Sequence, residues 1–459
     1  MQYMVRTRIA PSPTGEDLHI GNLYTAYLNW VFAKKNSGKF IVRIEDTDRT
    51  RLVEGSEQKI LQTLSSFGLD PDEPIIHQSE RLEIYKKHAE DLVKKEAAYY
   101  CTCTKERLDE LRRKQTAAKQ VPKYDKHCLN KAPSTKYQAP STEQYVIRLN
   151  VPKDRQVTFH DEIRGDITFN TRDIDDQVLI KSDGYPTYHL AVVVDDYLMK
   201  ITHVIRAEEW ISSTPKHILL YESFGWELPI FAHVPILRNP DKSKLSKRKN
   251  PVWASWYLEQ GYLPDAILNF LSLMGWSHPE GKEMFSKEEF IKEFTLERVR
   301  TVGPVFDTQK LEWMNGEYIR KTQSSKLKMQ IFQFYKGDYS KDLVAKMIPL
   351  IQERIKTLKA YDDYCRFFIK LPKNYETDLS NYREILKKTI EELEKLGDWK
   401  ADKIGNAMQN IAKEMNTKNS EYFMTIRVAI SGKKITPPLN ESMEILGKEE
   451  CLKRITLAI

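Results

Sequence analysis

Arg8-Ile9-Ala10-Pro11-Ser12-Pro13-Thr14-Gly15, His19-Ile20-Gly21-Asn22 and Phe40-Ile41-Val42-Arg43-Ile44-Glu45-Asp46-Thr47-Asp48 open this chain. They read in order as strand and loop, helix start, and second strand. Residues 4–10 form the first strand pattern. Leu23, Tyr27 and Val31 then recur at the spacing of one helix face between Gly21 and Lys35. Gly38 ends the helix, and residues 40–44 are a short apolar run. A strand–helix–strand unit of this kind closes right-handed with its strands parallel. Ligands of such sheets sit beyond the carboxyl ends of the strands. His19, Gly21 and Glu45 all fall there.

Outward from this unit, residues 56–67 and 80–97 carry helical patterns. The stretch 98–145 changes texture, being rich in Lys, Thr, Pro and Tyr, and reads as an insertion. Alternation at 145–151 and 157–170 predicts antiparallel strands. Ala191-Val192-Val193-Val194 reads as a buried parallel strand ending in Asp195-Asp196, and Thr202 to Arg206 as another, followed by Glu208 and Glu209. A helix near 214–224 and a strand near 230–237 complete a sheet that is split, then resumed. From about 252 the pattern is almost wholly helical, with no repeat of fixed period.

At 459 residues the chain exceeds one core. Its 41% hydrophobic content is enough for packed domains, and 30% is charged. No apolar run reaches the ~18 residues of a membrane span. Met1-Gln2-Tyr3-Met4-Val5-Arg6 holds no apolar signal segment, so a cytoplasmic protein with no membrane association is expected. The net charge of +7 lies wholly in 321–459, which holds 26 basic and 19 acidic residues. A basic module beside a neutral one suits a polyanion such as RNA. On charge alone, a solvated lysine-rich surface is an equal reading. Of five cysteines, Cys365 and Cys451 are isolated and read as packed thiols. Cys101, Cys103 and Cys128 cluster. An odd, local set argues against a disulfide framework. Three thiolates lack one ligand of a structural zinc site, for which Tyr124 and His127 are both at hand.

More than two hundred residues after the opening stands Lys244-Leu245-Ser246-Lys247-Arg248. Taken singly, a His-x-Gly is a weak signal and a cationic run is more often a solvated loop. Their positions after the first and last strands of one sheet give them joint meaning. A triphosphate needs donors, cations and close backbone approach. Gly21 lets a purine lie against the helix start, and His19 can donate to a phosphate oxygen. Lys244, Lys247 and Arg248 can neutralise charge that develops at the α-phosphate. Arg8, Arg206 and Glu45 stand at strand ends and, taken alone, read first as salt-bridge partners. An arginine fork can bind a carboxylate through two hydrogen bonds.

These motifs resemble bacterial-type glutamyl-tRNA synthetases, class I aminoacyl-tRNA synthetases. His19-Ile20-Gly21-Asn22 is similar to that family's His-Ile-Gly-His, with Asn in the last place. Lys244-Leu245-Ser246-Lys247-Arg248 is similar to Lys-Met-Ser-Lys-Ser. The likeness extends in order through Arg8 to Gly15, Arg43 to Asp48, Ser182-Asp183-Gly184-Tyr185-Pro186-Thr187-Tyr188, Val204 to Glu209 and Trp313-Met314-Asn315. It is dense over 1–320; beyond, it rests on length, helicity and a few residues. The resemblance implies an α/β fold: a Rossmann-type parallel-sheet catalytic domain split by an α+β insertion, then an all-α anticodon-binding region. Its boundaries would be a first catalytic half over 1–80, an acceptor-binding insertion over 81–190, a second half over 191–242, a stem-contact region with the cationic loop over 243–320, and a helical anticodon region over 321–459.

By the same resemblance the reaction is ATP-dependent activation of L-glutamate, with Mg2+, and transfer to the 3' end of tRNA-Glu, with tRNA-Gln left open. Bound tRNA would be required for activation, and the protein would be a monomer. His19, Lys244 and Lys247 would be catalytic, and His19, Gly21, Glu209, Lys247 and Arg248 would bind ATP. Arg8, Ala10, Ser12, Glu45, Tyr188 and Arg206 would line the glutamate pocket, with Glu45 facing the α-ammonium. Val192 departs from an Asn found in some relatives. Some relatives use a zinc set that Cys101, Cys103, Tyr124 and Cys128 match; others end in Cys-x-His, where this chain has Asn130. Arg354 stands where some relatives read the third anticodon base. Tyr335, Tyr361, Tyr364, Phe367, Tyr382 and Tyr422 interleave with the basic residues and could stack on bases, while each taken singly reads as core. The alternatives are a glutaminyl-tRNA synthetase, which the helical C-terminal pattern disfavours, a shorter tRNA-modifying glutamylase, which the long C-terminal region disfavours, and a silent tRNA-binding protein.

Overall fold

The computed structural model describes residues 4–131, 137–140, 144–246 and 251–459. Two compact units emerge, 1–256 with 268–307, and 257–267 with 308–459. The first begins as the sequence predicts, with β1 (Arg6–Ile9), α1 (Ile20–Lys35) and β2 (Lys39–Ile44). Strands β1 and β2 are parallel, with Arg8 opposite Ile41. Gly38 makes the turn between helix and strand possible: a Cβ there would lie 2.2 Å from the Val5 carbonyl oxygen. After α2 (Ser56–Ser66), the short β3 (Ile76–His77) pairs parallel with β2.

Next come α3 (Leu82–Lys94), β4 (Ala98–Cys101), α4 (Lys105–Ala117), α5 (His127–Lys131) and β5 (Val146–Leu149). The hairpin of β6 (Gln156–Asp161) and β7 (Gly165–Asn170) precedes β8 (Val178–Ile180). Strands β4, β5 and β8 form an antiparallel sheet of their own. The hairpin does not join it. Instead β6 reaches the resumed parallel sheet, through Asp161 opposite Phe231.

That sheet contains β9 (His203–Ala207) and β10 (Ile230–Val234), parallel to one another, with α6 (Tyr188–Leu198) before β9 and α7 (Thr214–Phe224) between them. Backbone bonding between Arg6 and Thr202 brings β1 and β9 edge to edge. The strand sequence across the junction is therefore β3-β2-β1-β9-β10, a doubly wound order that reverses between β1 and β9. A crevice opens at the carboxyl ends of strands at such a reversal.

One sequence expectation is corrected here. Ala191 to Val194 are not a strand but the middle of α6. Residues 190–196 are all buried, so the helix has no polar face to mark a 3.6-residue period. A helix buried all round and a buried strand look alike in sequence. The consequence is chemical, because Asp195 and Asp196 are buried near the end of a helix rather than placed at an exposed strand end.

The second unit is helical throughout its described length. One core gathers Ile319, Leu327, Met347, Ile351 and Tyr361; another gathers Leu386, Ile404, Met408, Tyr422 and Ile455. Tyr361, Phe367 and Tyr422 are thus core residues, not stacking platforms. Among the described residues no helix is long and apolar enough to cross a membrane.

Candidate active site

A cleft of about 630 Å³ lies at the β1–β9 reversal. Arg8, Ala10, Ser12, Glu45, Tyr188, Arg206 and Glu209 all line it, with Val192 beside them. Local structure explains the convergence. Arg8 and Arg206 stand on β1 and β9. The loop after β1 is held to the end of β2 by the Glu45 N–H bonded to the Pro11 carbonyl at 3.0 Å. The turn at Gly184, with φ +81°, delivers Tyr188 to the first turn of α6, where its ring packs 4.5 Å from that of Trp210.

The two arginines have opposite electrostatic settings. Arg8 presents Nε and Nη2 to the two oxygens of Asp196, each at 3.1 Å. Asp196 also accepts from Arg43 Nη1 at 2.7 Å, and Arg43 bonds Glu45 at 3.1 Å. Burial would raise the Asp196 carboxyl, but Arg8 and Arg43 together hold it below its ordinary value. Neighbouring Asp195 accepts from Gln78, Arg81 and Tyr85. Arg206 is as deeply buried, 5% exposed, yet has no carboxylate within ion-pair distance among the described residues. Its bonds run to His233, Thr214 and His217, and at 3.4 Å to the Tyr188 hydroxyl and the Trp210 carbonyl. The 3.4 Å pair is the weakest, and both residues line the cleft. An arriving carboxylate can displace these contacts. Burial pushes the Glu45 carboxyl up, with Arg43 opposing. An ammonium placed against Glu45 would favour the ionised form.

His19 caps α1, its Nδ1 accepting the Gly21 N–H at 3.0 Å. That bond leaves the imidazole proton on Nε2, a donor suited to a phosphate oxygen. The Ile20 and Gly21 N–H groups already have acceptors, so the helix start offers its dipole more than free donors. Above Gly21 the space is open: among the described residues, a Cβ there would meet only His19 ring atoms within 4 Å, the nearer at 3.1 Å. Lys244 ion-pairs with Glu209, tying the cationic loop to the cleft wall. Lys247 and Arg248 lie outside the described residues.

Away from the cleft, the Cys101, Cys103 and Cys128 sulfurs lie within 4.8 Å of one another. The Tyr124 hydroxyl is 3.4 Å from the Cys101 sulfur and 3.3 Å from that of Cys103. His127 is outside the cluster. In the helical unit Arg354 is exposed; burial first, and then the Arg354 charge, hold the pKa of half-buried Arg427 below its ordinary value. Sequence reasoning missed the places of Arg43, Asp195, Asp196, His217 and His233 around the cleft arginines. Arg43 stands within the quoted Arg43-to-Asp48 motif, and Asp195-Asp196 were read as a strand end; the two histidines had no signal.

Residues 4–313 match the family described as tRNA synthetases class I (E and Q), catalytic domain, and 316–459 match an anticodon binding domain. The chain belongs to the class I tRNA synthetases of this E and Q branch. A glutamate–tRNA ligase of Dehalococcoides mccartyi is 43% identical over 479 residues, covering 99% of this chain and 97% of its own. One from a Marinomonas species is 44% identical over 474 residues, covering 99% and 95%. Among solved structures, a glutamate tRNA ligase from Elizabethkingia meningosepticum in complex with its amino acid is similar with a TM-score of 0.83, at 35% identity and 99% coverage of both chains. The glutamate–tRNA synthetase of Elizabethkingia anophelis gives 0.82 at 36% identity, each chain fully covered.

Proposed function

We propose that this chain activates L-glutamate with ATP and transfers it to the 3' end of tRNA-Glu. The observation that carries the reading is the buried Arg206 without a carboxylate, in a cleft shared with Glu45. Around the cleft, the guanidiniums of Arg8, Arg43 and Arg81 pair with the carboxylates of Glu45, Asp195 and Asp196, and Arg206 stands beside them without one. One positive charge is left over. Glutamate brings one net negative charge and cancels it; glutamine brings none. An unneutralised guanidinium facing an amide gains no ion pair, so glutamine is rejected. Arg206 on this reading takes the side-chain carboxylate and Glu45 the α-ammonium. Ala10, Ser12 and Tyr188 complete the pocket.

The glutamate α-carboxylate attacks the α-phosphorus of ATP. The bond to the departing pyrophosphate breaks, giving glutamyl-adenylate. A terminal ribose hydroxyl of tRNA then attacks the acyl carbon, and AMP leaves. Neither step forms a covalent enzyme intermediate, so positioning and charge stabilisation carry the catalysis. His19 donates to a phosphate oxygen, and Lys244, Lys247 and Arg248 neutralise developing charge. Gly21 and Glu209 receive the adenosine. Mg2+ accompanies ATP and supplies further neutralisation of the triphosphate. The protein acts in the cytoplasm as a monomer, with tRNA bound before activation. Residues 81–190 approach the acceptor end, 243–320 contact the stem, and 321–459 read the anticodon through Arg354.

Aminoacylation assays with glutamate and glutamine on purified tRNA-Glu and tRNA-Gln test the reading. Charging of tRNA-Glu with glutamate and not glutamine is expected. Charging with glutamine alone would assign a glutaminyl enzyme, and no charging at all a silent tRNA-binding protein. Glutamylation of tRNA-Gln would extend the substrate range.

The donor set of Cys101, Cys103, Cys128 and Tyr124 suits a tetrahedral zinc, with the phenol oxygen as fourth ligand. Zinc there would be structural, cross-linking β4 to the segment around α5. Metal analysis of protein purified without chelator is expected to find about one zinc per chain. Metal-free protein of unchanged thermal stability would identify three reduced thiols instead.

A further inference from the structure

Arg206 is held by histidines where Arg8 and Arg43 are held by carboxylates. We propose that His217 and His233 are positioning residues for substrate selection, holding the Arg206 fork as neutral acceptors without cancelling its charge. The inference rests on the reading of Arg206 as a carboxylate-binding group.

The geometry begins in the strands. Arg206 on β9 is the register partner of His233 on β10, so the two side chains leave the sheet side by side. His233 Nδ1 lies 2.5 Å from Asp161 Oδ2. Asp161 also accepts the backbone N–H groups of His233, Ile163 and Arg164. A carboxylate so committed keeps the imidazole proton on Nδ1. The Nε2 lone pair then faces Arg206 Nε–H at 3.1 Å. On the other side, His217 Nδ1 stands 3.3 Å from Arg206 Nη1, and its Nε2 stands 3.0 Å from His189 Nδ1. With Nδ1 accepting from the guanidinium, Nε2 carries the proton and donates to His189. The His233 tautomer is thus fixed by Asp161, and that of His217 by the guanidinium, which can only donate. Both rings are buried. Burial, with the nearby Arg206 charge, holds His217 well below its ordinary value, and burial brings His233 down to about 4. Both therefore remain neutral at physiological pH.

The contrast with Arg8 gives the rule. Its fork is fixed by Asp196, and that charge is spent within the protein. A carboxylate at position 217 would fix Arg206 equally well, yet leave less positive charge for the substrate. An imidazole supplies the same geometry with no charge.

Steady-state aminoacylation of tRNA-Glu by His217→Asp and His217→Asn separates charge from fit. Asparagine keeps an acceptor close to the Nδ1 position; aspartate is nearly isosteric with it and adds a negative charge. The aspartate variant is expected to raise KM for glutamate by about tenfold or more and to narrow the preference for glutamate over glutamine, with KM for ATP little changed. The asparagine variant should stay within about threefold of wild type. Equal glutamate KM values for the two, or equal losses toward ATP and glutamate, would overturn the proposal and leave a packing role only. Should His217→Asp not fold, His217→Leu takes its place. It is expected to raise the glutamate KM alone, with asparagine at that site restoring it; loss shared with ATP would overturn the proposal. A wild-type protein that charges no glutamate would defeat the reading of the site itself. A wild type that charges glutamate, with matched aspartate and asparagine variants, would defeat this inference alone.

Discussion

Arg206→Ala is expected to lower kcat/KM for glutamate by about 10²–10³-fold while KM for ATP stays within about threefold. The guanidinium is almost fully buried, so its contact with a carboxylate is desolvated and charge-assisted. Removing one partner of such a pair costs about 3–5 kcal/mol, much of it from the charge left behind. Here that charge is the substrate's own. Lysine is not expected to rescue the loss. An ammonium is a compact point charge and cannot bond His233, His217 and Thr214 while still facing the cleft. On the proposed reading ATP meets the other end of the site, at His19 and Gly21, so its binding should be spared. Calorimetry with ATP and tRNA-dependent kinetics with glutamate read the two separately. Equal losses for both substrates would show that Arg206 supports the cleft generally and does not select glutamate.

Asp196→Asn is expected to destabilise the first unit by about 3–5 kcal/mol, read as an earlier first transition in urea. Asp196 accepts three bonds from two buried guanidiniums, at 3.1, 3.1 and 2.7 Å. The amide keeps the shape but removes the charge, and its NH2 group faces donors. Arg43 is fully buried and cannot turn to water. The Asp196 carboxyl is held below its ordinary value, so the unfolded state binds the proton more readily. Its stabilisation is therefore fully present above the unfolded pKa of about 3.9, and is lost as pH falls through the lower folded value. The gap between wild type and variant should accordingly close only in strong acid. Asp48→Asn, breaking an exposed pair with Arg51, should leave the transition in place. A similarly small change at Asp196 would mean that Arg43 is adequately served by Glu45 and Asp195.

The parts legible in sequence were those whose signals are local. The opening strand–helix–strand unit carries its apolar run, its helix face and its glycine within forty residues. Arg8, Glu45 and Arg206 were legible because each sits in a motif at a strand end. Their supports were not. His217 and His233 bond Arg206 across 11 and 27 residues, with no spacing that marks them. Asp196 was misplaced with its helix, because a segment buried on every side carries no period. The fourth sulfur-cluster neighbour could not be chosen by chemistry alone, since imidazole is the commoner ligand; the fold puts Tyr124 among the sulfurs and leaves His127 outside. In the helical unit, interleaved aromatics suit base stacking as a set and core packing singly, and packing absorbs Tyr361, Phe367 and Tyr422.

The pairing of β1 with β9 bears on how the chain is made. Arg6 bonds Thr202 across 196 residues. At a synthesis rate of about 5–20 residues per second, the first strand waits roughly 10–40 s for its neighbour to leave the ribosome. Through that interval Arg8 lacks its paired carboxylate, since Asp196 follows by 188 residues, while Arg43 has Glu45 beside it. A nascent N-terminal segment cannot bury the Arg8 cation early without a large desolvation cost. The same ion cluster that steadies the finished pocket therefore delays burial of Arg8 in the emerging chain, and the β1 edge stays without its neighbour until β9 arrives.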